Sequence, residues 1–268
     1  MTVRRFDRAR PRVAVTYLYV CLGATAAVVA AVLEPQTNKA FDAYLAQATK
    51  AFVARAQAAP RTLPAQKREP SAAPGGQDGI ISVPGGLIHH WIASTFIPGA
   101  SLQRALQVSY AYDDYSRLYE SVMASRVLAR DGNTHRVLMR LREGESGITA
   151  VLDVRSTVRY VFPAKSVAYA ISNADEIREV VSAGENDERL LPPGRDSGYL
   201  WRASTFTSFT DVEGGVYVEM ETLGLSRRFP PLLGWIIEPI ARRIGRRSAE
   251  RSLREFVEEV TERSGGNG

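Results

Sequence analysis

The chain has almost no cysteine and little histidine. Its single cysteine, Cys21, excludes an internal disulfide framework and a multi-cysteine zinc site. His89, His90 and His135 are the only histidines, too few for a His-rich metal centre. There is no P-loop and no nucleophile-elbow sequence. Gly75-Gly76 sits among prolines with no strand-to-helix context, which excludes a dinucleotide site. Excess charge is also scarce once its place is noted. The net charge is +5 over 268 residues, but residues 1–33 hold five arginines (Arg4, Arg5, Arg8, Arg10, Arg12) and one aspartate. That leaves +1 for everything after residue 33, so the basic balance gives no footing to a nucleic-acid reading. No nucleic-acid partner, metal or cofactor is expected. The hydrophobic fraction of 45% and charged fraction of 24% exclude a wholly disordered or collagen-like chain.

What is present begins with one long uncharged run. Residues 13–33 read VAVTYLYVCLGATAAVVAAVL, 21 residues without a charge. At ~1.5 Å each they match a ~30 Å hydrocarbon core. Arginines before the run and Glu34 after it orient the N-terminus to the cytoplasm and export the remainder of the chain. Two outcomes fit residues 1–33. One is a signal peptide cut near Ala24-Thr25-Ala26 or Val28-Val29-Ala30. The other is an uncleaved transmembrane anchor, for which six Ala against three Leu is weakly apolar. The expected location is periplasmic or secreted, or the inner membrane with the domain outside the cytoplasm.

Residues 34–59 form an amphipathic helical arm, with Phe41, Tyr44, Leu45, Ala48, Phe52 and Val53 at three- and four-residue spacing and Thr37 or Asn38 as cap. Residues 60–86 are rich in Pro and Gly, ten of 27, and read as a linker in which Ile80–Val83 adds an edge strand. From Leu87 the period changes to two. Leu87–Ile97 is a strand ended by Pro98-Gly99, followed by helical stretches at Leu102–Tyr110 and Tyr112–Glu120. Strands then follow at Ser121–Ala129, Thr134–Arg142, Ile148–Phe162, Ser166–Ser172, Tyr199–Thr210 and Val216–Ser226. Asp131-Gly132-Asn133 and Glu213-Gly214-Gly215 are hairpin turns. A first turn at Leu232–Ile237 precedes a helix from Pro239 to Arg263, with Pro239 at its first position, and 264–268 form a flexible tail. Val216, Val218 and Met220 alternate with Tyr217, Glu219 and Glu221, giving each strand one dry and one wet face. The last helix, with Ile240, Ile244, Leu253, Phe256, Val257 and Val260, is the available cover for the dry face.

This order resembles the START-like (SRPBCC, helix-grip) superfamily over residues 87–263. The ending carries the resemblance: Gly215-Val216-Tyr217-Val218-Glu219 through Leu223, then Gly234-Trp235-Ile236-Ile237 and the helix. GLIHHW (Gly86–Trp91), FIPGA (Phe96–Ala100) and GYLWR (Gly198–Arg202) are similar to a branch of exported bacterial proteins. The resemblance implies an α+β fold, a curved antiparallel sheet of about six or seven strands wrapped on the C-terminal helix, with an apolar cavity between them. It implies no single activity, since the superfamily holds cyclases, lipid carriers and hormone receptors.

Several side chains invite a chemical role. Neighbours on a strand face opposite sides, so His89 and His90 cannot chelate one metal; His90 is assigned inward. Glu219, Glu221, Arg136, Arg140, Arg155 and Arg159 fall on wet faces and read as cross-strand ion pairs. Arg242, Arg243, Arg246, Arg247, Arg251 and Arg254 on the last helix suit either a solvated face or anionic lipid. His90, Met139, Leu152, Val154, Tyr160, Tyr169, Trp201, Thr205 and Met220 are the expected ligand-binding set, built as apolar pockets are from aromatic and aliphatic walls with few polar anchors. Trp201 is placed on the face of Tyr199, Ala203 and Thr205. The expected function is non-catalytic binding of a hydrophobic small molecule or lipid. A cyclase- or hydrolase-type enzyme and an interaction module at the membrane are the alternatives.

Overall fold

A computed structural model describes residues 31–58, 69–145, 148–228 and 231–265. In chain order these form β1 (Ala31–Val32), α1 (Pro35–Gln57), β2 (Ser71–Pro74), β3 (Ile80–Val83), β4 (Gly86–Pro98), α2 (Leu102–Tyr110) and α3 (Tyr115–Leu118). There follow β5 (Val122–Asp131), β6 (Thr134–Glu145), β7 (Ile148–Ala164), β8 (Val167–Val181), β9 (Arg189–Leu190) and β10 (Arg195–Asp196). The chain closes with β11 (Arg202–Val212), β12 (Gly215–Arg227) and α4 (Pro231–Gly265).

One antiparallel sheet runs β2-β4-β12-β11-β8-β7-β6-β5, with β3 also on β4 and β9 on β8. The seven strands expected from alternation are all there. The other three are β2, β9 and β3, the last being the expected edge strand at Ile80–Val83, so the stretch read as a linker also contributes Ser71–Pro74 to the sheet. Residues 59–68 lie outside the described residues, as does most of the uncharged run. Its last residues, however, are in the body: Ala31 and Val32 pair with Asp196 and Arg195. No helix among the described residues is long and apolar enough to cross a membrane.

The helix-grip arrangement follows from strand parity. On the inner face Trp91, Ala93 and Ile97 of β4, Val216 and Val218 of β12 and Phe209 of β11 meet Ala249, Leu253, Phe256 and Val260 of α4. Helix α2 joins this layer, its N-cap Ser101 accepting from the Arg104 amide at 3.2 Å. Helix α4 runs through Pro239 rather than starting at it. Proline removes one hydrogen bond there, and the turns on either side continue.

The outer face departs from the one-wet-face expectation. Helix α1 starts at Pro35 after the N-cap Glu34, and Thr37 does not cap it but donates its hydroxyl to Pro84 O at 2.6 Å. Its apolar stripe packs on the outer side of β4, β12, β11 and β8. Phe41 and Phe52, fully buried, lie among Ile88, Leu223, Leu225, Phe206 and Tyr169. The Phe52 ring stands 5.1 Å from Phe206 and edge-on to Tyr169 at 5.7 Å. Arg202 lies over the Phe41 ring at 5.1 Å and pairs with Asp42. The sheet is therefore dry on both faces in this half. Elsewhere the outer face is wet, as expected: Arg140 grips Asp153 on the neighbouring strand at 2.7 and 2.9 Å.

Candidate functional site

The small residues of α4 decide where the core is empty. Ala241, Gly245, Ser248, Ala249 and Ser252 line one stripe of the helix, and beyond them Leu253, Phe256 and Val260 fill the space completely. Opposite the small stripe lie Ala203 and Thr205 of β11 and Thr222 and Gly224 of β12, also small. Helix and sheet thus stay apart, and a cavity of about 240 Å³ remains between them. Trp91, Leu141, Leu200 and Ile244 give it apolar walls.

A few polar groups interrupt that wall. His89 Nε2 lies 2.8 Å from Ser226 Oγ, and that hydroxyl also lies 3.3 Å from Arg227 O. The ring tautomer sets which of His89 and Ser226 donates to the other. Burial lowers the His89 pKa to about 4. Glu143 on β6 faces Ser248 Oγ at 3.4 Å and Arg251 at 3.5 Å. Burial raises its pKa, with Arg251, Ser121 and Ser248 opposing the shift. Burial and the nearby Glu143 both push the Tyr199 hydroxyl upward.

Trp91 is different. Its side chain is 4% exposed, and its indole Nε1 has no hydrogen-bond partner. A buried donor left unpaired costs about 1–3 kcal/mol. The ring is clamped between two glycines: a Cβ at Gly79 would stand 2.3 Å from the ring, and one at Gly245 would stand 2.6 Å from Nε1. The indole is thus pressed directly on the α4 backbone at the cavity wall.

The expected ligand set is scattered by the fold. Thr205 lines the cavity. Leu152 and Val154 stand just behind it, packed with Leu141, Tyr199, Leu200 and Ala203. Met220 faces inward on β12 between Val218 and Thr222 but is not part of the lining. Met139 and Tyr160 lie under α2, where Tyr160 bonds Tyr112 Oη at 2.5 Å and Ser109 Oγ at 2.8 Å. His90, Tyr169 and Trp201 are on the other side of the sheet. His89 shares a face with Trp91, so His90 points outward beneath α1. Tyr169 sits between inward Ala168 and Ala170 and so meets Phe52. Trp201 precedes β11, so strand alternation does not govern it; its indole donates to Asp196 Oδ1 at 3.0 Å.

The outward His90 has its own partners. It donates Nε2–H to Glu221 Oε1 at 2.7 Å and pairs through Nδ1 with the Tyr44 hydroxyl at 2.8 Å. Arg55 of α1 binds Glu221 and donates Nε–H to Glu219 at 3.2 Å. Glu221, expected in water, is 1% exposed. This cluster fastens α1 to the sheet and is not part of the cavity lining. A second hollow, more open to solvent, lies outside α2 beside Leu106, Tyr110 and the exposed Phe162. Among the described residues no group of three acidic, His or Cys side chains could hold a metal.

Sequence reasoning missed Trp91, His89, Leu141, Leu200 and the α4 stripe. The signal was available in the spacing of Ala241, Gly245, Ser248 and Ser252, one helix face of small residues.

A curved antiparallel sheet closed on a C-terminal helix, with a cavity between, is a helix-grip fold. Solved structures of similar chain path include the Thermus thermophilus protein TTHA0849 (14% identity, TM-score 0.47, 65% of this chain and 99% of that one). The ZhuI aromatase/cyclase from Streptomyces sp. R1128 is 10% identical, with TM-score 0.46 over 68% of this chain and 98% of its own. Human STARD10 is 11% identical, with TM-score 0.46 over 72% and 77%. No family model and no curated protein matches the chain. None of these likenesses is near enough in sequence to transfer a residue's role.

Proposed function

We propose that this chain is a non-catalytic binding protein for a hydrophobic small molecule or lipid, held between the sheet and α4. We further propose that its N-terminal segment takes it out of the cytoplasm, as a cleaved signal or a retained anchor. One observation carries the binding reading: the α4 stripe and the facing strands both present small side chains, leaving a cavity of about 240 Å³ with largely apolar walls. The titratable groups on the wall are tied to other partners, His89 to Ser226 and Glu143 to Ser248 and Arg251. Ser226 and His89 are a hydroxyl–imidazole pair, but among the described residues no carboxylate is bonded to the ring's other nitrogen to orient it as a base, which favours binding over turnover. The basic α4 face, with Arg242, Arg243, Arg246 and Arg247 exposed, suits an anionic membrane surface.

Native mass spectrometry of gently purified full chain tests the binding reading, alongside titration with an apolar fluorescent dye. A co-purifying apolar molecule, or saturable one-to-one dye binding abolished by Ala241→Leu, supports it. A folded protein that takes up neither sinks it, and conversion of the bound molecule supports the enzyme instead. For the location, fractionation and N-terminal sequencing decide: a cytoplasmic protein with an intact, soluble N-terminus refutes export.

A further inference from the structure

We infer that the cavity selects a neutral apolar molecule carrying a hydroxyl group, which donates to the Glu143 carboxylate, and excludes molecules that carry a carboxylate of their own. This rests on the binding reading above and narrows it.

The carboxylate is within a guest's reach. Glu143 lines the cavity two residues along β6 from Leu141, on the same face, and its side chain is 18% exposed. Its protein partners hold it loosely. Ser248 Oγ lies 3.4 Å from both carboxylate oxygens, and the Arg251 guanidinium lies 3.5 Å away. Close charge-assisted bonds of this kind are about 2.7–2.9 Å. Ser121 bonds it as well. A carboxylate offers about four acceptor sites, so three donors, two of them distant, leave it able to accept from a guest.

Charge then decides the class of guest. The hydroxyls of Tyr199, Thr205, Thr222 and Ser252 on the same wall can each donate or accept, so they discriminate little. The ionised carboxylate can only accept. Arg251 beside it favours that ionised form and balances its charge. A neutral hydroxyl added there keeps the balance. A second carboxylate brings a like charge against Glu143, and an ammonium group leaves a positive charge uncompensated; both are costly away from water. Arg251 is not part of the cavity lining, so an anionic guest meets Glu143 first.

The test compares indane, 2-indanol, indane-2-carboxylate and 2-aminoindane, one bicycle with four endings. The skeleton suits a cavity of about 240 Å³, since roughly 150 Å³ takes benzene. Calorimetry on the full-length wild type at about pH 8 keeps carboxylates and the amine charged. It is expected to show 2-indanol binding about tenfold tighter than indane, the effect of one hydrogen bond to a charged group, and no binding of the carboxylate. In Glu143→Gln the hydroxyl preference should shrink to about threefold, and the carboxylate should now bind within about threefold of 2-indanol, because the repulsion is gone while Arg251 remains. Such a gain of binding does not come from misfolding. Should the variant not fold, wild type isotopically labelled at its glutamate carboxyl carbons decides. One carboxyl resonance should move with 2-indanol and stay with indane. Equal binding of indane and 2-indanol overturns the hydroxyl assignment and leaves the binding reading standing. A Glu143→Gln protein that keeps the wild-type ranking overturns the role of Glu143, as does a labelled wild type in which no carboxyl resonance moves. Wild-type affinity for the carboxylate or the ammonium compound matching that for 2-indanol overturns the neutral class. A folded wild type that binds none of the four compounds removes this inference together with the binding reading.

Discussion

Truncating Phe52 to alanine tests whether α1 is part of the core or an arm laid on it. The side chain is fully buried and meets Phe206 at 5.1 Å and Tyr169 at 5.7 Å. Removing a buried phenyl ring costs about 3–5 kcal/mol. The upper half of that range applies here, because two aromatic contacts go with it, each worth about 0.5–1.5 kcal/mol beyond area. The site cannot readily collapse, since the Tyr44–His90 and Arg55–Glu221 contacts fix α1 on both sides of the void. At about 2–4 °C per kcal/mol for a domain of this size, Tm should fall by roughly 8–20 °C. Urea unfolding should show a lower midpoint with an unchanged slope. The exposed Phe162→Ala is the control and should stay within about 0.5 kcal/mol. A Phe52→Ala protein melting within about 2 °C of wild type would refute the reasoning, because α1 would then add nothing to the cooperative unit.

Other perturbations act on the same contacts. Burial holds the His89 pKa at about 4 against 6.5, so the unfolded chain binds the proton more tightly. Stability is complete above about pH 6.5 and is lost as pH falls towards 4, by about 3 kcal/mol in all. Urea midpoints across that window should flatten in His89→Gln, and an unchanged slope would argue against burial as the cause. Glu221→Ala strands His90 and Arg55, and should cost near the low end of about 3–5 kcal/mol because Arg55 is 35% exposed and can turn to Glu219. Glu219→Ala should cost about 0.2–1 kcal/mol; equal losses in the two variants would contradict the burial of Glu221. Gly245→Ala should displace the Trp91 indole into the cavity and weaken apolar-dye binding, while circular dichroism keeps its helical signal. Undiminished dye binding would show that the indole does not bear on α4 as described.

Much of this architecture was legible because alternation is a local property. Val216, Val218, Met220 against Tyr217, Glu219, Glu221 fixes one face of β12 whatever lies above it. The turn at Glu213-Gly214-Gly215 then fixes its pairing with β11. What covers the other face is not local. Leu223 and Leu225 continue the supposedly wet row, and Ile88 and Phe206 lie beside them, so an apolar patch was present. The charges of Glu219, Glu221 and Arg202 masked it, because only the arrival of Arg55, Tyr44 and Asp42 from α1 makes their burial tolerable. The cavity was anticipated in kind, but of the expected set Thr205 alone is in its lining. Aromatic residues were favoured as its walls, whereas space opens where side chains are small. Trp201 shows the limit of parity, which holds only once a strand has begun.

The pairing of Ala31–Val32 with Asp196 and Arg195 has a mechanical side. Leu33 N–H also donates to Gly194 O at 3.0 Å, so three residues of the uncharged run are stitched to the body. Of the 21, residues 13–30 remain, 18 in number. Were those residues a helix at ~1.5 Å each, they would reach about 27 Å, just short of a ~30 Å hydrocarbon core. A chain retained by that run has no slack between bilayer and sheet. If the proposed anchor is retained, the body is held close to the bilayer rather than at the end of a free tether.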